Sequence, residues 1–341
     1  MSSDSLYGIR ATRASPPGHA HADGERRQVY GAALAQFDEL ISATAAAGPS
    51  SRPLPLFYAL SQAGRAIAAA HAEGTWRLGS HGLSARELDP ALLEVEVKRA
   101  AVASKDGRPV DSVTGVADAT QSEVFAGAVA IGSLWGSLPE VFELLPASFD
   151  AGPCPLLLVP DGPGAENVRL LTDPGHVYAT VVGFSGSGDE LARYLVEQYP
   201  TACDSELYQP QGLSNVENHT EHGAGFLFRW QADAPNINSH ISTLNRIAPG
   251  GTGFQARWLR PAVGGVALSS LLTWWALLFG LSMLARYEPA GWMRELDYDL
   301  SDLAAPLGEL LEIGLHRVPE LVLATVVATS EGPPQRIGDG Q

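Results

Sequence analysis

The chain has 341 residues and a formal net charge of -16, with 38 acidic against 22 basic residues. Hydrophobic residues make up 45% and charged residues 18%, which excludes a largely disordered chain and leaves ample length for a core, in one large domain or two modest ones. An acidic total of this size repels phosphate backbones and argues against non-specific nucleic-acid binding, because the cations are nearly all arginine and lysine occurs only at Lys98 and Lys105.

Two cysteines, Cys154 and Cys203, exclude a disulfide framework, and neither sits in a metal-binding spacing. The first residues show no charged segment followed by an apolar one. Residues 1–24, rich in Ser, Pro, Gly and His, are expected to form a disordered tail, and the cytoplasm is the expected compartment.

The first ordered element is expected at "ERRQVYGAALAQFDELISATAAA", where Tyr30, Leu34, Phe37 and Ile41 keep helical spacing. "GPSSRPLP" then breaks the chain. A second helix begins near Pro53–Pro55, where proline suits a first turn, and ends by Gly74. It carries Tyr58, Arg65 and His71, and another histidine follows in Ser80-His81-Gly82-Leu83.

From Leu92 the texture becomes β-like. "LLEVEVKRA" alternates apolar and charged residues, "PVDSVTGVAD" reads as a second short strand, and "GSLWGSLPEVFELLP" as helical turns around a buried Trp135. Further strands are expected in "PLLLVP", "NVRLLT", "HVYATVVGF", "GFLFRWQA" and "FQARWLRPAV". Between them "DELARYLVEQYP" is an amphipathic helix.

"ALSSLLTWWALLFGLSMLA" then runs without a charge for about 19 residues, the length of a membrane span. Its serines and threonine, and the missing basic flank, make it a buried core helix instead. Pro306 and Pro319 are expected to divide the last helical stretch into pieces, and 331–341 should be a disordered tail. The expected fold is α+β: one domain over 25–330, helical over 25–88, β-rich over 89–265 and helical over 266–330, with the two helical ends packed around the apolar helix.

The two ends carry a family resemblance. "PLPLFYALSQAGRAIAAAH" with "SHGL", and "LLTWWALLFGLSMLARYEPAGWMREL", resemble the opening and closing motifs of the YaaC-like protein family. The matching positions are Tyr58, Arg65, Ala66, His81, Gly82 and Leu83, then Phe279, Ser282, Arg286, Tyr287, Pro289 and Trp292. The resemblance implies an intracellular bacterial protein and carries no settled activity. The opening motif alone is also similar to helical HEPN domains, some of which cut RNA with an arginine and a histidine. Arg65 and His71 have the letter of that motif, yet six helical positions set their side chains about 120° apart, so Arg65 and His81 form the better pair.

Three function readings follow. The first is a binding or accessory module holding a small anionic ligand, or a protein partner, with Arg65, His81, Arg286 and Tyr287 as ligand-binding residues; arginine's fork suits carboxylate or phosphate. The second is a HEPN-like endoribonuclease using Arg65 with His71 or His81. The third is a serine hydrolase, since Gly183-Phe184-Ser185-Gly186-Ser187 nearly spells a nucleophile elbow, although Ser187 and Glu190 also make a capping box. Glu217, His219, Glu221, His222 and His240 suggest a metal only weakly, so no metal and no cofactor is expected, and a homo-oligomer is compatible with the sequence.

Overall fold

The computed structural model describes residues 3–85, 87–89, 91–100, 111–159, 176–182, 187–199, 206–207, 218–220, 223–231, 241–247 and 253–328. The architecture is α+β. Residues 25–330, expected as one domain in three bands, fall into two compact units. One comprises Met1–Leu134, Leu144–Ala147 and Ser270–Gln341; the other comprises Trp135–Glu143 and Ser148–Ser269.

The first unit is built on α4, Pro53–His71. Its buried residues include Ala59, Ala63, Gly64, Ala66, Ala68, Ala69 and Ala70. Small side chains on nearly every face let neighbours approach closely, and α4 touches α2 (His19–Ala22), α3 (Gly24–Ala46) and α5 (Ser112–Ala119). It also meets two helices from the far end of the chain, α8 (Ser270–Tyr287) and α10 (Ala304–Ala328).

This unit also contains α9 (Pro289–Glu295), which follows α8, and α1 (Ser3–Ala14) near the start of the sequence. Helix α8 is buried continuously from Leu271 to Ser282, which explains its all-round apolar sequence. Among the described residues, no helix is long and apolar enough to cross a membrane.

The packing of α8 on α4 fixes their directions. A Cβ on Gly64 would collide with the Trp275 ring, while Phe57 meets Phe279 with ring centroids 5.4 Å apart. Position 57 pairs with 279 and position 64 with 275, so the helices run antiparallel. Beyond them, the Trp292 indole N–H on α9 donates to the Ser50 carbonyl at 2.9 Å, just before α4 begins.

Several expectations need correction. Residues 3–14 form α1 rather than part of a tail: Leu6 and Ile9 are buried, the Arg10 guanidinium pairs with both Asp38 carboxylate oxygens (2.9 and 2.8 Å), and the Tyr30 hydroxyl donates to Thr12 Oγ1 at 2.7 Å. Tertiary docking holds a helix whose own sequence is too short and polar to announce it.

"DSVTGVADA" is helix α5 rather than a strand. Asp111 sits at its N-cap, where Oδ1 accepts from the Thr114 N–H at 2.7 Å, and this cap overrides the β-branched valines and threonine. Helix α10 is continuous through Pro306 and Pro319: Pro306 lies in its first turn, and Pro319 is accommodated inside.

A small antiparallel sheet completes this unit, in the order β1 (Leu83–Ser84), β2 (Glu96–Arg99), β3 (Ala128–Ala130). The strand after Leu92 is thus shorter than the alternation suggests, because Leu92–Glu94 is a single 3-10 turn.

The second unit holds a seven-stranded antiparallel sheet, in the order β6 (Glu206–Leu207), β8 (Gly223–Gln231), β5 (His176–Val182), β4 (Leu156–Val159), β10 (Gly253–Leu259), β9 (Ile241–Ile247), with β7 (Asn218–Thr220) also on β8. Helix α6, Ile131–Gly136, leads into it. Trp135 is fully buried with its indole N–H on the Val141 carbonyl at 2.8 Å. Phe142 and Leu157 pack on Trp258. Helix α7 (Gly188–Gln198) opens on a reciprocal capping box: the Ser187 N–H donates to Glu190 Oε2 at 2.7 Å, and the Glu190 N–H returns to Ser187 Oγ at 3.3 Å. "NVRLLT" lies outside the described residues, as do 331–341.

Candidate functional site

The Ser80-His81-Gly82 turn is pinned on both sides of its histidine. The Ser80 carbonyl accepts from the Ser112 N–H (2.7 Å) and the Ser112 hydroxyl (2.8 Å) at the start of α5. The Gly82 carbonyl accepts from the Ala100 N–H at 2.9 Å, and the next residue, Leu83, enters β1 opposite Arg99. Gly82 has a φ of 80°, and a Cβ there would strike the Asp111 carboxylate. Only glycine meets both demands.

Asp111 itself is 3% exposed and fully engaged. It accepts from the Thr114 N–H and the Thr114 hydroxyl (2.9 Å), with Arg99 Nη2 at 3.8 Å.

His81 is thereby displayed on one face of α4. Its ring lies edge-on to Phe57, with centroids 5.1 Å apart, and to Tyr58 at 6.1 Å. Arg65 stands two helical turns beyond Tyr58 on the same side, since seven positions nearly close two turns. Arg65 Nη1 donates to the Leu78 carbonyl at 3.1 Å, tying the helix to the strand of chain that leads into the turn. Among the described residues, Arg65 has no carboxylate partner. Tyr58 is 37% exposed, and Arg65 and His81 are half-buried, so this face reaches solvent.

The electrostatics are one-sided. Burial pushes the His81 imidazolium below the usual histidine range, and the neighbouring Arg65 charge pushes it further the same way. His81 is therefore neutral near pH 7, one ring nitrogen carrying hydrogen and the other bare. The pair offers hydrogen-bond donors and net positive charge in a chain that is acidic overall.

The other candidate residues lie elsewhere. His71, at the end of α4, sits with Nε2 3.2 Å from the Val326 carbonyl on α10, whereas Arg65 turns to Leu78. Burial, chiefly, lowers the His71 pKa as well, and nearby His19 adds to the effect. The two members of the sequence motif thus serve different neighbours.

Arg286 and Tyr287 are exposed at the C-terminal end of α8, where the guanidinium stacks over the Tyr287 ring at 4.9 Å. Because α4 and α8 are antiparallel, they stand at the opposite end of the helix pair from Arg65, roughly 20 Å away along the axis at about 1.5 Å per residue. The structure does not bring them to the Arg65–His81 face.

Ser185, Glu217, Glu221, His222 and His240 lie outside the described residues, and of His219 only the backbone in β7 is described. Among the described residues, no cluster of three or more His, Cys, Asp or Glu side chains could hold a metal. What the sequence did not reveal is the support under His81: Ala100, Asp111 and Ser112 lie 19 to 31 positions downstream of it, in a stretch that reads as strand.

The fold defines an α+β protein whose helical unit displays an arginine and a braced histidine on one face of α4. The chain belongs to the YaaC-like protein family, whose model matches residues 13–326. No curated protein and no solved structure matches it.

Proposed function

We propose that this YaaC-like protein is a binding module for a small anion, seated where Arg65 and His81 meet the face of α4, with Tyr58 as its wall. One observation carries the reading: a half-buried arginine in a strongly acidic chain has a single backbone hydrogen bond and no carboxylate among the described residues. The guanidinium donors that no described residue engages, close to a neutral imidazole, suit a phosphate or carboxylate group. The bracing of Ser80 and Gly82 supports the same reading, because a site that holds its donors in place loses less entropy on binding.

An RNA-cutting role stands second. Its Arg65–His71 version has no geometric support, since His71 is engaged with Val326 on α10. An Arg65–His81 version would need the acidic chain to accept a polyanion, against its overall field.

Equilibrium binding of inorganic pyrophosphate tests the proposal. The wild type should bind, and Arg65→Ala should weaken binding at least about tenfold, or 1.4 kcal/mol, with its melting temperature close to that of the wild type. Arg286→Ala should bind like the wild type. Equal binding by the wild type and Arg65→Ala would remove the site, and cleavage of a single-stranded RNA that disappears in Arg65→Ala would favour the second reading.

A further inference from the structure

Resting on the anion-site reading above, we infer that ligand binding at Arg65 is coupled to proton uptake by His81, so that the site favours dianionic, phosphate- or sulfate-type groups and tightens as pH falls. The geometry around the imidazole is the basis. The backbone on either side of it is held by the Ser80 and Gly82 hydrogen bonds, which fix where its α-carbon stands. The rings of Phe57 and Tyr58 pack against it at 5.1 and 6.1 Å between centroids and limit the space open to it.

Among the described residues, the charged and titratable groups around it are few. From α4 come Arg65 and Tyr58. From the start of α5 comes Asp111, lying against Gly82 with its oxygens already taken by Thr114. From β2 comes Arg99, directed at Asp111 and Thr114. No carboxylate among the described residues is paired with His81. Among the described residues, Arg65 is the cation that acts on the imidazole without a carboxylate of its own, and no carboxylate there rewards a second positive charge.

A bound dianion reverses this balance. It neutralises Arg65 and leaves negative charge facing the imidazole, which gains a second N–H donor when protonated. The proton comes from solvent: neutral His81, one hydronium-derived proton and the dianion give an imidazolium–anion–guanidinium complex. By linkage, the affinity rises with falling pH while the free site is neutral and the complex protonated, by at most about tenfold per pH unit for one proton.

Sulfate is the suitable probe, because it keeps its double charge throughout the histidine range. Calorimetric titration with sulfate at pH 7, in two buffers of different ionisation enthalpy, reads the protons taken up. The wild type should take up a fraction of a proton approaching one, and bind more tightly at pH 6 than at pH 8. His81→Gln should still bind, more weakly, with no uptake and no pH slope. His71→Gln, which alters the other depressed histidine outside the site, should keep both.

Sulfate binding with no proton uptake, or uptake that persists in His81→Gln, overturns the coupling and leaves the anion site standing. Absence of sulfate binding at every pH overturns the anion site and the coupling together.

Discussion

Gly82 is the residue on which the display of His81 depends. Its φ of 80° and the Asp111 carboxylate, which stands where a Cβ would go, leave no room for a side chain. Gly82→Ala should destabilise the protein by about 2 kcal/mol or more, from the left-handed backbone alone and then from displacement of Asp111. Urea unfolding would read this, and an unchanged midpoint would show that the turn is not held as described.

Arg65 illustrates how much of the site could be seen beforehand. Helical spacing sets Arg65 on the face of Tyr58 and away from His71, and the loop after Gly74 does carry His81 within electrostatic reach of Arg65. That Arg286 stands apart from them was not legible, because the direction in which α8 crosses α4 depends on which small residue receives which aromatic, Gly64 for Trp275. That choice is made by packing between segments two hundred residues apart.

Two short helices show what is lost when an element is read by itself. Helix α5 looks like a strand from its valines and threonine, and becomes a helix because Asp111 satisfies one of the free N–H groups of its first turn, that of Thr114. Asp111→Ala should cost about 1–2 kcal/mol for the lost cap, and should also loosen Gly82, so a melting curve and the His81 ring resonance should shift together.

Helix α1 has a weak apolar stripe and would be marginal alone. It is ordered by Leu6 and Ile9, which are 3% and 1% exposed, and by the fork between Arg10 and Asp38. Ile9→Ala should lower stability by about 2–4 kcal/mol, as for other buried truncations, whereas Tyr7→Ala, at a position 73% exposed, should be close to neutral. Equal effects at the two positions would contradict the docking. By contrast, α3, α4 and α8 were legible as elements, since their periodic or continuous apolar patterns are long enough to outweigh local alternatives.

At the scale of the whole molecule, the α+β class could be read from the change of texture near Leu92 and again near Gly265, but the division into two units could not. Chain order suggests three bands, whereas the contacts return Ser270 onward to the unit that contains α1–α5. Sequence periodicity reports which face is buried and is silent on what buries it.

The same global view gives a pH dependence. His71 and His81 both have folded pKa values below the usual histidine value, mainly through burial. The unfolded chain therefore binds protons more readily than the folded one below about pH 6.5, and stability must rise with pH through that window. The contribution is fully present above the unfolded pKa and is lost as pH falls toward the folded values. The wild-type melting temperature should drop between pH 7.5 and 5.5 in the absence of anions, and the double variant His71→Gln, His81→Gln should drop less. An identical drop in both would assign the acid sensitivity to other groups.

The most direct measurement is the imidazole NMR signal of His81, in histidine-labelled full-length protein, during titration with pyrophosphate at constant pH. A seated anion should move that signal toward its protonated position in a saturable way, leave the His71 signal in place, and have no such effect in Arg65→Ala. A His81 signal that stays still at saturating pyrophosphate, or moves equally without Arg65, would contradict an anion site at this face and leave the arginine and histidine as parts of the helical framework.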